Sequence, residues 1–127
     1  MGGFGAILGR HGLAAPRTAG TYSRILKRYV HDQHSLSLMD ALRKMSLMPA
    51  QRLEAATAVG RRKGRIREGA DADIVVFDPD AVADHAAYEA PALPSTGYKY
   101  VLVGGVAVVD TGRLVDDIHP GPTLTGR

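Results

Sequence analysis

From Thr21 the chain alternates wet and dry positions with the period of a helix. In "TYSRILKRYV", Tyr22, Ile25, Leu26, Tyr29 and Val30 fall at i, i+3, i+4, i+7 and i+8, while Arg24, Lys27 and Arg28 take the solvent side. The polar run "HDQHS" interrupts that period. It restarts in "SLMDALRKM" through Leu38, Ala41, Leu42 and Met45, where Ser37 and Asp40 have the spacing of a capping box with Asp in place of Glu. Pro49 suits the first turn of a further short helix, "PAQRLEAA", because an N–H at that position has no intrahelical partner to lose. The glycine-rich first twenty residues show neither period and read as loop.

After "VGRRKG" the period shortens. "ADIVVFD" is a dense β-branched run between Asp71 and Pro79, continuous enough to predict a strand buried on both faces. In "YKYVLVGGVAVVDTGRLV" two valine-rich strands flank Gly104-Gly105, a pair that readily takes the positive φ angles of a type I′ turn. A second turn at Thr111-Gly112 lets Leu114 and Val115 continue the sheet. Helices followed by strands predict an α+β arrangement, not a βαβ repeat. A sheet of four or five strands covers its two faces poorly, so further strands are expected from elsewhere.

Composition narrows the setting. A chain of 127 residues is one domain or part of something larger. It has no cysteine, which excludes disulfides and thiolate metal sites and is compatible with the cytoplasmic location expected here. No run approaches a membrane span, and the short apolar stretch near the N-terminus lacks the basic lead of a signal peptide.

The net charge of +3 conceals a division. Residues 1–69 hold 13 Lys and Arg against 4 Asp and Glu (+9), and residues 70–127 hold 3 against 9 (−6). The halves can lean on one another, or the basic half can meet an acidic partner. Nucleic acid is not expected as a partner, because the basic residues are spread along helices without aromatic stacking residues beside them.

Few residues offer chemistry. His31 and His34 are three apart, the spacing of a metal pair on a helix, but they sit in the polar break with no third ligand nearby and read as solvated. His11, His85 and His119 read as loop residues. "GFGAILG", with Gly3, Gly5 and Gly9, has one residue too many for a dinucleotide fingerprint and no strand ahead of it. "RRKGRIR" reads as a solvated connection, and Met39, Met45 and Met48 as filler of a core or an interface.

One block is more specific. Gly64 to Asp78, "GRIREGADADIVVFD", follows the phrase G-x-I-x-x-G-x-D-A-D-[LIV]-[LIV]-[LIV]-[FLW]-D, and Val101 to Val109 follows V-x-V-[NG]-G-x-x-V-V. Together with "HPGPTLTGR" they resemble the C-terminal end of the amidohydrolase superfamily. The segment "APRTAGTYSRILKRYV" is similar to its N-acyl-D-amino-acid deacylase branch, the D-aminoacylases. The resemblance implies that residues 1–60 are a loop and two to three helices from the end of a (β/α)8 barrel. It implies that residues 61–127 are part of a small antiparallel β-sandwich, completed by strands from the protein's N-terminus.

It also implies a reaction: hydrolysis of the amide C–N bond of N-acyl-D-amino acids by water activated on zinc. This chain contains no H-x-H pair, and "MGGFGAILGRHGLAA" holds no acidic residue where the family's catalytic Asp falls. No catalytic or metal-ligating residue is therefore assigned here, no cofactor is expected in this chain, and zinc is expected in the full-length parent. Arg17 corresponds to the family's arginine for the substrate carboxylate, a role its two-pronged guanidinium suits. Alone, such a piece is expected to be inactive and to expose an apolar surface, meeting either the missing barrel half or another copy of itself. The alternative is a non-catalytic binding or scaffold module with a basic helical face, whose binding would weaken steeply with salt.

Overall fold

A computed structural model describes residues 15–121; "GFGAILG", His11 and most of "HPGPTLTGR" lie outside that range. Helix α1 (Arg17–Arg24) runs on as a wider π-helical stretch over Ile25–Asp32. It starts four residues before the apolar period does, which corrects the loop expected up to residue 20. Pro16, with φ already at −52°, sets the first turn, and the small polar residues after it carry no stripe to announce a helix.

Helix α2 (Leu38–Leu42) is capped as the Ser37–Asp40 spacing predicts, though not reciprocally. The Asp40 amide donates to Ser37 Oγ at 3.1 Å, and the same hydroxyl donates to the Asp40 carboxylate at 2.7 Å. The turn then widens over Arg43–Leu47 and leads into α3 (Met48–Glu54), with Pro49 in its first turn. Proline has no amide for the Met45 carbonyl, which fits the loosened ladder ahead of it. A 3₁₀ turn, Ala58–Arg62, closes the helical segment.

Four strands follow: β1 (Ile74–Phe77), β2 (Tyr98–Val103), β3 (Val106–Asp110) and β4 (Arg113–Leu114). They form one antiparallel sheet in the order β1-β2-β3-β4. The β2–β3 hairpin turns at Gly104 (φ 57°) and Gly105 (φ 85°), as its sequence predicts, with Val103 opposite Val106. The second turn places Thr111 (φ 50°) and Gly112 (φ 79°) in the same left-handed region, and the Val115 amide reaches the Val108 carbonyl at 3.0 Å.

One core joins helices and sheet. Leu26, Ala41 and Val82 are buried together, and Phe77 and Tyr98 pack onto them from the ends of β1 and β2. Away from that corner the sheet is uncovered. Val75 and Val76 remain 50% and 43% exposed, so β1 is not buried on both faces as its apolar run predicts. β1 is an edge strand with a register shift between Val76 and Phe77, and the helices reach only its far end.

Candidate functional site

Arg17 stands in the first turn of α1, exposed, with the Thr21 hydroxyl donating to its carbonyl at 2.5 Å. It lines an open cleft of about 350 Å³ whose other wall is the segment from Ala86 to Glu89. Arg24, two turns further along α1, holds that wall. Its Nε donates to Asp84 Oδ2 at 2.6 Å and its Nη2 to the Ala86 carbonyl at 3.1 Å. The other Asp84 oxygen accepts the Ala86 amide at 3.0 Å, and the Asp84 side chain is only 6% exposed. Gly20 lies directly beneath, where a Cβ would fall 1.9 Å from Asp84 Oδ1. Arg17 itself makes no ion pair among the described residues, and it shares the cleft with Arg24 and Glu89.

The sequence placed Arg24 on the wet face of its helix and gave no signal for Asp84. The two are 60 residues apart, and Asp84 sits in an aperiodic connection. Their pairing brings the basic front of the chain against its acidic rear, one of the two arrangements the charge division allows.

His31 and His34 are not brought to one helix face. The helix ends at Asp32, and His34 follows it in the left-handed region with φ 49°. His31 Nδ1 lies 2.9 Å from Asp32 Oδ1, which Lys27 Nζ also meets at 2.9 Å. Lys27 and then His31 hold the Asp32 carboxyl below the usual carboxylate range. That carboxylate is already shared by two side chains, and no group of three or more potential ligands assembles among the described residues. These residues do not fit a zinc site.

The "DAD" of the sequence block has a definite task. Lys63 Nζ reaches Asp73 at 2.5 Å and Asp71 at 3.0 Å, while Asp73 Oδ1 accepts the Gly104 amide at 2.8 Å. Asp73 thus bonds backbone 31 residues away rather than its own turn, and it ties the β2–β3 hairpin to the connection from the helices. The Lys63 ammonium holds the Asp73 carboxyl below its ordinary value against the opposing effect of burial, with the Gly104 amide assisting. Asp73 and then Asp71 raise Lys63 in turn. Gly64, at φ 69°, passes so close that a Cβ would lie 2.8 Å from both the Ala50 side chain and the Ser46 carbonyl.

Between α1 and the open face of the sheet lies a broad groove of about 1010 Å³. Val75, Val101 and Val109 line its sheet side, and Tyr22 and Leu26 its helical side. Ser23 and Tyr98 meet in its lining, Ser23 Oγ lying 2.8 Å from the Tyr98 hydroxyl, and Asp73, Ser46 and Thr96 add further polar groups.

Comparison with known proteins agrees with this architecture. The model of the amidohydrolase family matches residues 9–109. The N-acyl-D-glutamate deacylase of Alcaligenes xylosoxydans xylosoxydans is 44% identical over 93 residues, which are 73% of this chain and 18% of that protein. A crystal structure of D-aminoacylase superposes with a TM-score of 0.70 at 34% identity, covering 80% of this chain and 20% of the other. The N-acyl-D-glutamate deacylase of Bordetella bronchiseptica, solved with zinc and a phosphonate that mimics the reaction's tetrahedral intermediate, gives 0.66 at 41% identity, over 73% and 19%. The chain spans about a fifth of the length of the relatives it matches. A match over most of its residues, joined to superposition on D-aminoacylase, makes this chain a member of the amidohydrolase family.

Proposed function

We propose that this chain is the C-terminal portion of a zinc-dependent enzyme that hydrolyses the amide C–N bond of N-acyl-D-amino acids, and that it supplies substrate orientation and docking surface rather than the hydrolytic centre. The observation that carries the reading is Arg17, without an ion pair among the described residues and in an open cleft; the resemblance of "APRTAGTYSRILKRYV" to the deacylase branch implies that it is the family's carboxylate-binding arginine. A guanidinium grips a carboxylate through two parallel N–H···O bonds, which fixes the stereocentre beside it. Zinc, held by residues of the parent enzyme, would activate water and polarise the amide carbonyl.

In this reading residues 1–60 end the barrel and residues 61–127 belong to the β-sandwich. The groove between α1 and the sheet receives the rest of the enzyme, or a second copy when the chain is alone. An apolar surface of that extent stays in water only at a cost. A cytoplasmic location belongs to the same reading. It finds support in the absence of cysteine, and no helix among the described residues is long and apolar enough to cross a membrane.

Zinc content and hydrolysis of N-acetyl-D-glutamate by the purified 127-residue chain test the division of labour. The expected result is far less than one zinc per chain and no turnover. Stoichiometric zinc with turnover would place a complete hydrolytic centre in these residues and contradict the reading.

A further inference from the structure

We propose that Asp84 is a positioning residue: with Arg24 it holds the wall from Ala86 to Glu89 against the first turns of α1, in the geometry in which Arg17 meets a carboxylate. The nature of the ligand rests on the reading of Arg17 given above, while the positioning rests on this chain's own contacts.

A carboxylate is rarely this enclosed without each oxygen engaged. One Asp84 oxygen takes Arg24, and the other takes the Ala86 amide. Arg24 then grips the Ala86 carbonyl with the same guanidinium, so a single pair fixes both backbone groups of Ala86. Lysine could not reproduce that grip, because it presents one point charge where arginine presents a fork.

Gly20 removes the slack. It lies one turn beyond Arg17, and the Asp84 carboxylate occupies the space a side chain would need. Arg17, Gly20 and Arg24 thus follow one another at i, i+3 and i+7 along one stripe of α1. Two of the three contact Asp84 or the wall it holds, and the third lines the cleft that this contact shapes. A device serving stability alone would, when loosened, weaken folding without changing how tightly a folded chain binds through Arg17.

The test is an NMR experiment on the whole 127-residue chain. The Arg17 Nε–Hε resonance is assigned through its loss in Arg17→Lys. Contacts from the Arg17 side chain to Ala87 and Tyr88 are then read without ligand, followed by the shift of that resonance on titration with N-acetyl-D-glutamate. Asp84→Asn, Arg24→Lys and Gly20→Ala are compared with the parent. Arg24→Lys retains a positive charge opposite Asp84 and gives up the second bond to the Ala86 carbonyl, and so carries the test if the other two do not fold.

The expected result is a saturable shift in the parent chain. In the folded variants the contacts to the wall are lost and binding is about tenfold weaker. Folded variants in which the Arg17 contacts and shift match the parent overturn the proposal, as does a parent chain in which Arg17 makes no contact with the wall. If the parent shows no shift with ligand but the variants still lose the contacts, the positioning stands and the carboxylate reading of Arg17 fails.

Discussion

In the helical segment each helix buries part of its apolar stripe. Leu26 and Ala41 are buried against each other's helices, and Ala50 is buried in α3. In the sheet no strand residue is buried, although its sequence is the more apolar of the two. The strands bond to one another correctly and still leave Val75 and Leu114 in the open. A strand run as dense as "IVVF" calls for cover on its faces, and these residues supply it only at the Phe77–Tyr98 corner. The helices share a core with Val82 and the Phe77–Tyr98 corner; the rest of the sheet awaits cover.

The largest test of that contrast is Leu26→Ala, which should cost about 3 kcal/mol in urea denaturation because it opens a cavity beside Ala41 and Val82. Val75→Ala in the same assay should cost less than about 1 kcal/mol. Equal losses would show that the sheet is covered in solution and would end the comparison. Gly64→Ala comes next, at about 2 kcal/mol, since a Cβ there meets both a left-handed backbone and the Ser46 carbonyl.

The junction between the two regions is sharpened by Lys63→Met, expected to cost about 1 kcal/mol near neutral pH because the pair is only partly enclosed. Its pH dependence follows from the two shifts. Asp73 is depressed in the folded chain, so its contribution is complete above the unfolded carboxylate value and is lost as pH falls through the folded one. Lys63 is raised, so its contribution is complete below the unfolded lysine value and is lost as pH rises through the folded one. Stability from the pair is therefore flat between about pH 5 and pH 10 and fades at both ends. Lys63→Met should flatten both edges, and parallel pH profiles for the parent and the variant would refute the assignment.

The smallest stability effect belongs to Val75→Lys, which places a charge in the groove. Sedimentation should show self-association of the parent chain, lost in the variant with folding preserved. A monomeric parent would mean that the uncovered face does not recruit a second copy.

Much of this was legible in the sequence, for reasons that mark where legibility stops. Periodicity reports local geometry, so the α2 cap, the Gly104-Gly105 hairpin and the helix-then-strand order could be read directly. The motif around Gly64 and the Pro-Arg pair gave the family. Pairings across tens of residues leave no local trace: Asp84 with Arg24, and Asp73 with the Gly104 amide, emerge only when the chain is folded. The start of α1 left no trace because Arg17 to Gly20 carry no apolar stripe, and the exposure of β1 left none because hydrophobicity records what a strand requires, not whether its neighbours provide it.

The central claim, that this chain orients substrate for a hydrolytic centre held by other residues, is tested most directly by exchange. The matching fifth of the N-acyl-D-glutamate deacylase is replaced by this chain, and turnover of N-acetyl-D-glutamate is measured with Arg17 intact and as Arg17→Ala. The account predicts turnover in the first hybrid and a fall in kcat/KM of at least about a hundredfold in the second. A folded, zinc-loaded hybrid indifferent to Arg17 would contradict it.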